Sequence, residues 1–270
     1  ITSVSATFGL DFKPGFGGRI GLGYYNDERA NQIATSGMLG SNFTIAKHHV
    51  FDAEIAVSYN QFDPTATLPQ QVTKVGFSYK FRYNITIPKF NLSVYLLNKS
   101  FNYFRNSNNS INNINGSYVF NEKNRLNLTF YNNSYLLDFY PYRFLKTNSW
   151  NRNIFGQLLY IRPLNPKLIF NAGPEYRFNH RDIFVLNQNY NKQLDDLFYG
   201  VYMALIYRMN EFNSISPNLR IGMAQTKFDD VGDNLHFQTN LEFAMRLGIN
   251  YSGKYFRVLA FYQRGPQVLA

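Results

Sequence analysis

The sequence predicts an all-β protein, an antiparallel transmembrane β-barrel of about fourteen strands. Three observations carry that prediction. Period-two alternation of apolar and polar residues runs through the chain, and helical 3.6-residue periodicity is nearly absent. Short and long connections alternate without a break, as periplasmic turns and extracellular loops do in bacterial barrels. Aromatic content is 18%, with 26 Phe and 21 Tyr but one Trp, more than a soluble core of this size can bury. Aromatic girdles at two membrane interfaces would need that many.

The strands follow in order. Strands 3–12 and 19–26 flank a short turn at Lys13–Gly18, and the long connection Asp27–Ala34 follows. Strands 35–45 and 50–60 flank Lys47–His49, before the long stretch Gln61–Gln71. Strands 72–85 and 90–103 flank Pro88–Lys89, before Arg105–Ser110. Strands 111–120 and 125–133 flank Asn121–Asn124, before Asn133–Ser149. Strands 150–162 and 168–178 flank Asn165–Lys167, before Asn179–Gln193. Strands 197–207 and 215–224 flank Asn210–Asn213, before Gln225–Asn234. Strands 235–249 and 255–263 flank Asn250–Lys254. Alternation is blurred in 35–45, 111–120 and 150–162.

Where alternation is clear, it separates two faces. Val75, Phe77, Tyr79, Phe81, Tyr83 and Ile85 share one face, with Gly76, Ser78, Lys80, Arg82 and Asn84 on the other. Leu168 to Phe178, Leu197 to Tyr207 and Phe237 to Ile249 repeat the pattern, with Phe237, Leu241, Phe243 and Leu247 on one side. About ten residues suffice for a tilted strand to cross a bilayer.

Other classes fit less well. No run of about eighteen apolar residues exists, so transmembrane helices are excluded. The chain has no cysteine, which removes disulfides and thiolate metal sites. A soluble sandwich would not be expected to alternate long and short connections so strictly. A lipocalin-like barrel would turn its apolar face inward and have fewer strands. Basic and aromatic residues occupy opposite faces, so a nucleic-acid stacking platform is not formed.

The Asn-, Tyr- and Phe-rich segments Asn106–Ser117 and Leu126–Tyr135 resemble outer-membrane barrels of Bacteroidota. The phrase Gly21-Leu22-Gly23-Tyr24-Tyr25-Asn26-Asp27-Glu28-Arg29 resembles hairpins of larger usher-like or translocon-like barrels. The resemblance implies a bacterial outer-membrane location. Residues 1–270 form one barrel domain, expected to be incomplete at one or both ends. Two features point that way: short turns on the periplasmic side would start the first strand outside the cell, and Gln263–Ala270 lacks the usual terminal aromatic. A miscount of one strand at each end would also account for the first. The chain starts at Ile1 with no visible signal peptide, as expected of a mature or trimmed sequence.

Net charge is +10, from 27 Lys and Arg against 17 Asp and Glu. Strand parity turns Arg19, Lys74, Lys80, Arg82, Arg125, Arg177, Arg220, Arg246 and Arg257 inward, with Asp52, Glu54, Glu175 and Glu242. Such a lumen is net basic and favours anions. The plainer reading makes these residues Arg–Glu ladders stiffening the wall, Glu175 with Arg177 and Glu242 with Arg246. Asp229, Asp230 and Asp233 form a weak candidate for a hard cation in a long loop, without EF-hand spacing. His48 and His49 sit in a turn, and no H-x-x-E-H or H-E-x-x-H motif occurs. His236 and Ser216 could approach across neighbouring strands, but nothing else marks a catalytic group. Gly15–Gly23 matches neither phosphate-loop pattern, and the Asn-x-Ser/Thr triplets at Asn84, Asn91 and Asn127 fall within strands.

Two functions remain. The first is a channel or conduit for small, anionic solutes, embedded in outer-membrane lipid. The second is a barrel subunit or scaffold of a secretion, assembly or surface-display complex, partnered by other envelope proteins. No enzymatic activity, cofactor or nucleic-acid partner is expected.

Overall fold

The computed structural model describes residues 2–13, 15–28, 32–62, 72–99, 106–121, 123–138, 147–185, 190–230 and 235–265. These residues form strands and no helix. In chain order they are β1 (Thr2–Lys13), β2 (Phe16–Asp27), β3 (Gln32–Ile45), β4 (His49–Phe62), β5 (Val72–Ile87) and β6 (Phe90–Lys99). Then come β7 (Asn106–Asn121), β8 (Asn124–Asp138), β9 (Thr147–Asn165), β10 (Leu168–Val185) and β11 (Tyr190–Arg208). The last are β12 (Ser214–Asp230), β13 (Leu235–Gln238), β14 (Glu242–Ser252) and β15 (Arg257–Arg264).

All fifteen strands belong to one antiparallel sheet. Each pairs with its sequence neighbour, except that β12 pairs with both β14 and the short β13. The predicted short turns sit where expected, except the last, which is shifted from Asn250–Lys254 to Gly253–Phe256. At one of them Gly15 takes a positive φ of 80°, and its carbonyl accepts the amide of Thr44 at 2.7 Å. That conformation is open to glycine at little cost. The sheet is open: β1 and β15 are its two outer edges, and no ladder joins them among the described residues.

The two faces differ sharply. Register places Val4, Phe8, Leu22, Leu39, Ile55, Phe77, Val201 and Phe243 on one face, exposed to solvent. Phe8 is 68% and Val75 71% exposed. The other face carries Arg19, Asp52, Glu54, Ser58, Lys80, Glu175, Asn218 and Arg246, and here the residues are sheltered. Ser58 is 1% and Glu175 3% exposed. This partition is the reverse of a soluble domain, which rarely leaves a contiguous apolar surface uncovered.

Three expectations need correction. First, polar stretches assigned to long loops are partly strand. β10 runs to Val185 and β11 starts at Tyr190, which absorbs most of Asn179–Gln193. β8 and β12 likewise extend to Asp138 and Asp230. The strands continue past their apolar stretch, and their outward residues there turn polar. Second, 235–249 is not one strand. Phe237 pairs with Phe228 whereas Phe243 pairs with Met223, so the register slips by one residue around Thr239–Leu241. One extra residue reverses parity, and Phe237 leaves the face of Phe243. Third, 255–263 begins at Arg257, and the turn Gly253–Phe256, with Tyr255 and Phe256 exposed, precedes it, closed by the Gly253 amide donating to the Phe256 carbonyl at 2.9 Å.

Candidate functional site

The sheltered polar face gathers the charged residues singled out by parity. Its most enclosed charged side chain is that of Glu175 on β10, 0% exposed. Arg177, two residues along the same strand and so on the same face, donates through Nε to Glu175 Oε1 at 2.7 Å. Arg220 on β12 donates through Nε to the same oxygen at 3.0 Å. Gln157 on β9 donates to Oε2 at 2.6 Å.

Arg220 reaches Glu175 although β11 lies between their strands. The β11 and β12 residues in the Glu175 row are Gly200 and Gly222, which place no side chain there, and the Phe198 ring packs over both. A Cβ at Gly200 would stand 2.2 Å from the Ile221 carbonyl oxygen and 2.8 Å from the Phe198 ring. Phe198 is 0% exposed and packs with Ala224 and Ala244 beside the glycines. The guanidinium of Arg246 lies opposite Arg220 and 4.1 Å from the Phe261 ring centre. Arg220 stacks over Tyr202 at 4.9 Å and Arg177 over Phe155 at 5.3 Å. Two guanidiniums thus grip one carboxylate, with a third opposite Arg220, each beside an aromatic ring.

A second cluster lies on β2, β4 and β5. Arg19 donates to Asp52 and lies 3.8 Å from Glu54, and Lys80 Nζ is 3.2 Å from Asp52. Arg82 faces Asp52 across the ladder and, with Arg19, Asp11 and Asn42, lines a cleft of about 610 Å³. This cluster is nearly balanced in charge, unlike the first. The remaining residues stand apart from both. Arg125 is exposed opposite Val119 and Ile161, Arg257 is exposed at the β14–β15 turn, and Glu242 is exposed opposite Ala224. The side chain of Lys74 lies outside the described residues.

Of the aspartate candidate for a cation, Asp229 and Asp230 lie among the described residues. Asp229 and Asp230 are neighbours on β12 and point to opposite faces, and Asp233 lies outside the described residues. Asp230 pairs with Lys192 at 2.9 Å, while Asp229 pairs with Lys227 at 2.9 Å and His236 at 3.0 Å. Hydrogen bonds from Lys227 and His236 hold the Asp229 carboxyl below its ordinary range, and the Asp229 bond raises Lys227. His236 faces Asp229 at one end of β12, whereas Ser216 faces Asn250 at the other, so the two never meet.

Lys227 belongs to a polar row on the otherwise apolar face. Ser134, Arg152, His180, Asp195, Lys227 and Gln238 stand opposite one another across β8 to β13. His180 Nδ1 is 2.5 Å from Asp195, and its ring lies 4.6 Å from that of Trp150.

The polar face also holds a cleft that the sequence reading missed, lined by Tyr131, Asn133, Asn153, Phe155, Arg177 and Asn179. Aromatic residues at polar-face positions, Tyr131 between Thr129 and Asn133 for one, were the available signal. Comparisons with protein families, with curated proteins and with solved structures each find no match to this chain.

Proposed function

We propose that this chain is an outer-membrane β-barrel acting as a conduit with a net basic lumen for small anionic solutes. The observation that carries the reading is the inverted partition: apolar side chains exposed on one face, ionic groups sheltered on the other. A lipid bilayer supplies the missing apolar cover, and a polar interior supplies water to the ionic face.

Dimensions agree with that reading. On the apolar face, Phe170 to Phe178 spans roughly 27 Å and Leu197 to Tyr207 roughly 34 Å, at ~3.4 Å per residue. A strand tilt of about 40° reduces these to about 21 and 26 Å of height, near the ~25 Å apolar band of such barrels. The polar row from Ser134 to Gln238 then lies just beyond the lipid.

Within this chain, closure would pair β1 with β15. Without β13, the sheet path has fourteen strands, each antiparallel to the next. An even number makes β15 antiparallel to β1, so a seam would continue the same ladder pattern. A lipid-exposed open edge is costly because its backbone groups find no partner.

The test is single-channel conductance of the purified chain in a planar bilayer. Steady, anion-preferring current that loses its preference in the folded Lys80→Glu, Arg82→Glu variant is the expected result. A folded but silent protein would refute the conduit. It would favour the second reading, a subunit of an envelope complex, for which the two unpaired edges offer strands to a partner.

A further inference from the structure

The apolar face is interrupted on β6, β7 and β8. Its outward residues near the short turns are apolar, Leu92 and Val94, then Ile114, then Leu128 and Phe130. Further along the same strands come Asn98, Ser110, Asn112 and Asn132. Counted from the short-turn end of each strand, the three asparagines stand eight or nine residues along, level with Val57, Tyr79, Tyr176 and Tyr199. Register also puts Asn112 and Asn132 in one row with Ile154, Phe178 and Leu197. These amides therefore lie within the apolar belt.

Their hydrogen bonds are half used. Asn112 Nδ2 donates to Ser110 Oγ at 3.3 Å and to the Asn132 main-chain carbonyl at 3.4 Å. Asn132 Oδ1 accepts from Arg152 Nε at 3.0 Å. One acceptor, Asn112 Oδ1, and one donor, Asn132 Nδ2, have no partner among the described residues, and neither is an enclosed atom.

We propose that this patch is the contact surface of a twofold dimer, covered by the same patch of a second copy. The proposal rests on the reading of the apolar face as lipid-facing. Acyl chains offer an amide no partner, and leaving one unsatisfied in hydrocarbon is costly. A second copy supplies what is missing. A twofold axis along the membrane normal, passing between β7 and β8, sets Asn112 Oδ1 of one copy against Asn132 Nδ2 of the other, and symmetry repeats the bond. A twofold contact requires a self-complementary surface, and one leftover acceptor beside one leftover donor is self-complementary. Shape agrees with this. Two convex barrel walls meet along a strip a few strands wide, at about 4.8 Å per strand, and the polar interruption spans three. Lower on that strip Gly116 stands between Leu92 and Leu128 and adds no side chain, so the apolar ends of the walls can approach closely. A lipid phosphate would engage Arg152 and leave both open amide groups idle.

The chain has no cysteine, so single introduced thiols report contacts directly. The full chain is refolded into phosphatidylcholine vesicles for cross-linking with a short bis-maleimide, and its mass is read by sedimentation in density-matched micelles. A dimer is expected, with Ser110→Cys cross-linked and Leu247→Cys, on the apolar face of β14, left single. The double variant Asn112→Leu, Asn132→Leu makes the apolar belt continuous and should weaken dimerisation about tenfold or more while still inserting. A wild-type monomer in both media, an assembly larger than two, equal cross-linking at the two cysteines, or a dimer indifferent to the double substitution would each overturn the proposal. Failure of the lipid-facing reading looks different: the folded chain would stay out of the vesicles, with Leu247→Cys open to a membrane-impermeant thiol reagent. An inserted monomer would refute the dimer alone.

Discussion

Replacing Glu175 by Gln removes the one carboxylate shared by Arg177, Arg220 and Gln157. The substitution keeps shape and loses charge, so its cost measures the ionic pairing. Hydrogen bonds to a charged group contribute about 1.5–3 kcal/mol each, and breaking a fully buried pair costs about 3–5 kcal/mol. The acid is fully enclosed, but the Arg177 and Arg220 side chains are 20% and 18% exposed, so water recovers part of their loss. The lower end applies, about 3 kcal/mol, or roughly 150-fold in the folding equilibrium. Equilibrium urea unfolding in micelles reads this as a midpoint lowered by about 1 M or more, for a slope of ~1–3 kcal/mol per molar. Glu242→Gln, at an exposed site on the same face, is the control and should fall within about 0.5 kcal/mol of wild type. A Glu175→Gln midpoint indistinguishable from that control would show that the three arginines need no counter-charge.

Other substitutions probe separate parts of the structure. Gly200→Ala sets a Cβ against the Ile221 carbonyl and should destabilise by about 1–3 kcal/mol in the same urea assay, whereas Gly37→Ala, with nothing within 4 Å, should be near neutral. Val201→Arg, within the apolar band of β11, should cost about 2–4 kcal/mol when refolding into lipid vesicles is measured, and Gln225→Arg, at the edge of the band opposite Leu197, no more than about 1 kcal/mol. Equal costs would contradict a bilayer around that face. The Asp229 tie between β12 and β13 has a pH window. Its depressed carboxyl stabilises the fold above the unfolded value near 3.9 and loses that effect as pH falls through the lower folded value. Raised Lys227 contributes below its unfolded value near 10.4 and loses the effect as pH rises through its higher folded value. Hydrogen exchange of the β13 amides should therefore accelerate, relative to the other strands, as pH falls through the Asp229 range, because the His236–Asp229 bond is the one that crosses to β13.

Much of this architecture could be read from residue order. The alternation from Val75 to Ile85 places each of those side chains on its observed face, because one face must be apolar and the period is two. The inward candidates whose side chains are described share the polar face by register for the same reason. Parity cannot say which inward residues touch. Glu175 and Arg177 were legible as neighbours on one strand, but Arg220 joins them only because two glycines fall between them in the ladder. The slip near Thr239 was hidden because Phe237 and Phe243 have the same sequence parity and no glycine or proline marks the bulge. Strand ends were misread where outward residues become polar, as at His180 and Asp195, since composition there resembles a loop.

The sheet's connectivity also bears on how the chain acquires its structure. Each ladder joins strands adjacent in sequence, or separated only by the four-residue β13, so every step of growth closes a short span. Such local closure is entropically mild and favours rapid, hairpin-by-hairpin accretion. Growth from any starting hairpin leaves one accepting edge on each side, and order of synthesis need not dictate order of assembly. A β1–β15 seam would be the exception, a contact across almost the whole chain. It would be the slowest step, and the species just before it would expose two unsatisfied edges to self-association or to a helper that shields them.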